Sequence, residues 1–153
     1  MSRRETESII QNAIEKRISC KPKMRMSSFF TSDAFRIAAQ IVIGCVWIFH
    51  GLYSKILNGI PRHRRIVAKI LGDANAGIST RMIGLLEVLL GLWAFTGLQP
   101  VGCAAVQTAA IVGMNTLEIW LAGELLISAV GMVILNLGFL TMVWNWALHS
   151  PKS

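Results

Sequence analysis

The sequence predicts an all-α fold, an integral membrane four-helix bundle with a basic amphipathic segment between its first and second helices. Three observations carry that expectation. Hydrophobic residues make up 54% of the chain, with a mean hydropathy of +0.55, above the roughly 45–50% apolar share of soluble domains. Only 15% of residues are charged, against about 25% in an average globular protein. The charges are also segregated. From Met82 to Ser153 the one cation is Lys152, and the acids are Glu87, Glu118 and Glu124. A stretch that long with so little charge cannot form a solvated surface. The net charge of +7 therefore belongs to the basic flanks of membrane segments, and no nucleic-acid partner is expected.

The 153 residues leave room for one domain, divided here into a polar N-terminal tail over 1–33 and a membrane domain over 34–150. The tail holds no apolar core within signal-peptide length, so no cleaved leader is expected in it. Ser8 to Ile18 places Ile9, Ile10, Ala13, Ile14 and Ile18 on one side of a helix. Met24 and Met26 just before the first apolar run are alternative translation starts.

Four spans are expected, at about 36–57, 81–98, 101–118 and 125–148. The first contains "IAAQIVIGCVWIFHGLYS", 18 residues without a formal charge, and the last contains 24 such residues from Leu125 to Leu148. Neither shows the polar face of a soluble helix. Gly97-Leu98-Gln99-Pro100 reads as a tight turn that makes the second and third helices antiparallel neighbours. Residues 118–124, "EIWLAGE", read as a short acidic connection. The long connection over 58–81 is basic: Pro61 opens a helix, Ile66, Val67, Ile70 and Leu71 form its apolar face, and Gly72 ends it. Such a helix lies in the interface with its cations among lipid headgroups. Trp120, Trp144 and Trp146 fall near segment ends, where headgroup-level rings are favoured, while Trp47 lies deeper and is expected between helices.

Lys and Arg near the spans divide evenly between the two sides, so the positive-inside rule does not orient the bundle. Translocating an N-terminal stretch of eight cations, counted to Arg36, is unfavourable. Both termini are therefore expected in the cytoplasm.

Ionisable groups inside spans are expensive and mark candidate sites. Counted from the membrane face, His50 lies about 10 Å deep, Glu87 about 9 Å and Lys55 about 3 Å. Glu87, Lys55 and His50 are thus expected to form one intramembrane polar cluster. Gly44, Trp47 and Gly51 on the first span, and Gly84 and Gly91 on the second, follow helical spacing and allow close packing around it. The cluster either locks two helices together without chemistry, serves in proton handling or contact with a quinone headgroup, or makes no contact at all. Gln107, Asn115 and Asn136 are secondary polar candidates, expected to form interhelical hydrogen bonds. Cys20, Cys45 and Cys103 show no C-x-x-C or ligand spacing, and no metal site, haem site or nucleophilic triad is expected.

"WIFHGLYSKIL" resembles the first-helix signature of the DoxX-like membrane proteins, carried here by Trp47, Gly51, Leu52 and Lys55. "GLLEVLLG" is similar to that family's second-helix pattern, through Gly84, Glu87 and Gly91. The ending, with Asn115, Glu118 and Asn145, looks like one branch, although "LAGELLISAVG" lacks the Pro-Phe-Gly-type stretch of others. The resemblance covers about residues 36–148. It implies a four-helix membrane protein acting as an accessory or structural subunit of a membrane complex, redox-linked, with a redox enzyme or other membrane subunit as partner. Two alternatives stand beside it. One is a quinone-linked oxidoreductase component that uses Glu87, Lys55 and His50, with quinone as the implied cofactor. The other is a small transporter or lipid-binding protein.

Overall fold

The computed structural model describes residues 33–150. The expected tail up to residue 32, its amphipathic stretch at 8–18 and Cys20 lie outside the described residues. The described chain is helical throughout. Helix α1 spans Asp33–Ile48 and continues as a π-helical segment over Phe49–Ile56. It is followed by α2 (Pro61–Leu71), α3 (Asp73–Thr96), α4 (Pro100–Ala122), a 3-10 turn over Gly123–Leu125 and α5 (Ala129–His149).

Four of these stretches, Asp33–Ile56, Asp73–Thr96, Pro100–Leu125 and Ala129–His149, are long and apolar enough to cross a membrane. A helix of 24 residues is about 36 Å long, against a hydrocarbon core of about 30 Å. Their outward faces remain apolar: Val130, Ile134 and Leu137 on α5 and Ile78 and Leu86 on α3 are all exposed. The chain is an integral membrane protein, and lipid is the solvent for those faces.

Three boundaries differ from the hydropathy reading. The second spanning helix begins at Asp73 rather than near 81. Its first two turns, "DANAGIST", are polar and so invisible to a hydropathy window, and Asp73 complements the helix dipole. The third helix runs on to Ala122 instead of stopping near 118. The expected acidic connection is mostly helix, because Ala122 is fully buried and anchors that last turn. The fourth starts at Ala129 rather than 125, where Ser128 caps it by accepting the Gly131 N–H at 3.0 Å.

The tightest packing is between α1 and α3, which run antiparallel through two glycine crossings. A Cβ on Gly51 would lie 2.4 Å from the Gly84 carbonyl oxygen, and one on Gly91 would lie 2.8 Å from that of Gly44. Only glycine permits that approach of backbones. At the far end Gln40 Nε2 donates to the carbonyls of Ala94 and Phe95, both at 3.0 Å, and so satisfies orphan acceptors of the α3 C-terminus. Helix α5 lies against α1 and α4, through Trp47 packed edge-on to Phe139 and Trp144 Nε1 donating to Thr108 Oγ1 at 3.1 Å. The expected headgroup position suits Trp120, which is exposed, but not Trp146, which is buried among Ile43, Val143 and Ala147 in the core. Trp144 also turns inward, to Thr108. The ring on α5 is drawn to the helix interface because that interface offers tight aromatic packing beside α1 and α4.

Helix α2 closes one end of the bundle. Its Ile66 and Val67 are buried against α3 and α4, while Arg64, Arg65 and Lys69 face outward. Gly72, with φ at 86°, turns the chain from α2 directly into α3.

Candidate functional site

The site is set by where α1 stops being an ordinary α-helix. Over Phe49–Ile56 the turns widen to π-type, and the backbone leaves through Leu57 N–H to Leu52 O at 2.9 Å and Gly59 N–H to Tyr53 O at 2.9 Å. Such widened turns favour functional positions because they re-aim side chains. Here Gly51, Ser54 and Lys55 all turn into the bundle.

Lys55 Nζ donates to Glu87 Oε1 of α3, and both residues are almost fully buried. The pair lies between the Gly51–Gly84 crossing and the α2 end. Sequence spacing predicts this contact, and the structure brings these two residues together. It does not bring His50 onto Glu87. His50 instead faces His63 of α2, with ring centroids 6.3 Å apart and edge-to-face, and packs on Phe49 at 5.7 Å. His50 follows Trp47 by three residues and so lies on the side of α1 that faces α4 and α5, while Gly51 faces α3.

Lys55, Glu87 and His50 all line one cavity of about 480 Å³, bounded by α1, α2, α4 and α5. Further charged and imidazole lining comes from Arg62, His63 and Glu118, at the end that α2 closes. Its walls deeper in the bilayer are apolar, formed by Trp47, Met114, Leu135 and Phe139. Asn115 and Asn136 line it beside Met114 and Leu135, with Asn136 Nδ2 donating to Asn115 Oδ1 at 2.9 Å. Gln107 lies deeper and fully buried: its Oε1 accepts from Trp47 Nε1 at 2.7 Å and its Nε2 approaches Cys103 Sγ at 3.1 Å. Interhelical hydrogen bonds of this kind contribute about 0.6 kcal/mol each in a bilayer.

Several polar atoms here lack a partner in the protein. Glu87 Oε2 and Arg62 Nε and Nη1 are buried without a hydrogen bond. Each such group costs about 1–3 kcal/mol unless something satisfies it. His63, on α2 outside the spanning segments, has its pKa lowered to about 4. Burial is the main cause, followed by the charge of Lys55 and then by His50 and Arg62. It is therefore neutral at pH 7 and offers one donor and one acceptor. Among the described residues, no cluster of His, Cys, Asp or Glu is arranged to hold a metal ion.

Arg62, His63 and Glu118 were outside the sequence-derived cluster, and the periodicity contains a signal for each. Arg62 and His63 precede the buried Ile66 and Val67 by four residues, which puts them on the inward face of α2. Glu118 follows Gln107, Ile111 and Met114 along one face of α4 once that helix is allowed to continue.

Fold and site together define a class: a small four-helix integral membrane protein with a polar-ended cavity inside the bundle. The DoxX-like family model matches residues 44–144, from Gly44 through Trp144. The chain belongs to the DoxX-like family. That match contains both glycine crossings, the Lys55–Glu87 pair and all the polar residues of the cavity. No curated protein and no solved structure matches the chain.

Proposed function

We propose that this protein is an accessory subunit of a redox-linked complex in the bacterial inner membrane, with both termini cytoplasmic, and that it holds a quinone headgroup in the cavity. The observation that carries this reading is the cavity's polarity gradient. An apolar tail fits the walls of Trp47, Met114, Leu135 and Phe139, while ring oxygens fit donors and acceptors at the α2 end. A quinone would supply two-electron, two-proton redox chemistry. The residues suited to hold its oxygens are Arg62, whose buried Nε and Nη1 are free donors, and neutral His63. Glu87 Oε2 is a free acceptor for a hydroxyl of the reduced form. Glu118 and His50 line the same end and can take or return a proton there.

The purified protein should retain quinone on extraction, and a short-chain quinone should quench the emission of Trp47 in a variant whose other tryptophans are replaced by Phe. Arg62→Gln should weaken that quenching about tenfold with the fold intact, the expectation for losing a charged hydrogen bond. A protein that neither retains quinone nor shows saturable quenching would have a structural role only, and this reading would fall.

A further inference from the structure

A second recess of about 210 Å³ lies on the outer side of Lys55, between the end of α1, α2 and the first turns of α3. Its chemistry is unlike that of the first cavity. Asp73, Gly77 and Arg81 recur every fourth residue along one face of α3, and all three line it. Arg64 of α2 lies across that stripe: a Cβ on Gly77 would sit 3.7 Å from its Nη2. The missing side chain of Gly77 leaves the floor of the recess open.

Four charged side chains line this recess, but only Lys55 is paired, and its partner Glu87 lies in the bundle interior. Among the described residues Arg64, Arg81 and Asp73 are in no ion pair, although they share the same 210 Å³. Two exposed cations and one exposed anion without an ion-pair partner thus stand around one polar recess. By residue count Arg81 stands about 9 Å nearer than Glu87 to the end of α3 that packs on α2.

We infer that this recess binds the headgroup of a zwitterionic aminophospholipid, its phosphate held by Arg64 and Arg81 and its primary ammonium by Asp73. Two guanidinium groups suit a phosphate, which accepts charge-assisted hydrogen bonds on several oxygens. Asp73 sets the specificity. It repels a purely anionic headgroup or a free phosphate, and it needs an N–H to accept from. A choline headgroup has none. Phosphatidylethanolamine meets both requirements.

The test uses the full chain, stripped of lipid in detergent and resupplied with phosphatidylethanolamine, phosphatidylcholine, phosphatidylglycerol or inorganic phosphate. Native mass spectrometry reads the lipid retained. Phosphatidylethanolamine should be held about tenfold better than either other lipid, and Arg64→Gln/Arg81→Gln should lose that retention. Because loss of binding can follow from misfolding, Asp73→Asn provides a readout that misfolding cannot mimic. It should gain phosphatidylglycerol binding until the two lipids are held equally. Equal retention of all three lipids by the native chain would overturn the inference. So would displacement of the lipid by inorganic phosphate, or an unchanged preference in Asp73→Asn.

Discussion

Removing one member of the Lys55–Glu87 pair should be more harmful than removing both. Each side chain is almost completely buried, and each is the other's sole ion-pair partner among the described residues. Glu87→Gln leaves a lysine charge inside the bundle, and Lys55→Met leaves a carboxylate. Breaking a buried pair in this way costs about 3–5 kcal/mol. Neutralisation sets a ceiling near the same figure. Placing a proton on an ordinary carboxyl at pH 7 costs about 3.7 kcal/mol, and taking one from an ordinary amine costs about 4.6 kcal/mol. The double variant Lys55→Met/Glu87→Leu removes both charges at similar volume and should lie within about 1 kcal/mol of the native protein. The assay is unfolding by SDS in mixed micelles, followed through the buried Trp47 and Trp146. The signs with pH follow from which charge is stranded. Lys55→Met should recover as pH falls and the carboxyl takes its proton more readily, while Glu87→Gln should recover as pH rises. A double variant whose cost equals the sum of the singles, or singles insensitive to pH in both directions, would refute the pairing.

The remaining predictions concern packing and the α2 end. Gly51→Ala should cost about 1–3 kcal/mol, because its Cβ would sit 2.4 Å from the Gly84 carbonyl oxygen. Gly113→Ala, where a Cβ meets nothing within 4 Å, should be neutral or slightly stabilising in the same unfolding assay. Trp47→Phe strands the acceptor of the fully buried Gln107 and should cost about 1 kcal/mol, with Gln107→Leu recovering part of it in the double variant. His63 has its folded pKa lowered from 6.5 to about 4, so the unfolded state binds more protons between those values. The contribution of neutral His63 is therefore complete above pH 6.5 and is lost as pH falls towards 4. A titration of the unfolding midpoint should show this slope in the native chain and a weaker one in His63→Gln.

How much of this was legible in the sequence depended on whether a feature followed hydropathy or helical spacing. The four spans and the Gly51–Gly84 and Gly44–Gly91 crossings were legible. Long uncharged runs and small residues at a seven-residue interval have one economical arrangement in a bilayer. Counted depth matched Glu87 to His50, at about 9 and 10 Å, and reached Lys55, about 3 Å deep, only through its long flexible stem. The contact falls to Lys55 and not to His50, and the π-helical segment over Phe49–Ile56 shifts its later residues, Lys55 among them, against α-helical bookkeeping. Nothing in "FHGLYSKI" marks that widening in composition. The polar start of α3 was missed for another reason. Residues 73–80 are helical because α2 and the end of α1 pack on them, with Ala76 and Thr80 buried, and tertiary burial is absent from a hydropathy average.

The first cavity also bears on whether the Lys55–Glu87 pair is merely a lock. A lock requires two charges that satisfy each other, and Glu87 Oε1 with Lys55 Nζ already does so. It gives no reason for Glu87 Oε2 to be buried without a partner, or for Arg62 to turn two nitrogens inward from a basic helix that has water and headgroups beside it. Solvating Arg62 outward, as its neighbours Arg64 and Arg65 are, would remove a penalty of about 1–3 kcal/mol. On the inward face of α2 the Glu118 carboxylate attracts it across the cavity, but no ion pair at contact distance replaces its lost solvation among the described residues. Retaining such a group is understandable if something enters the cavity and accepts from it. Arg62→Leu therefore separates the two roles: a lock alone predicts a bundle at least as stable as the native one, and a binding cavity predicts that same stability together with loss of the ligand.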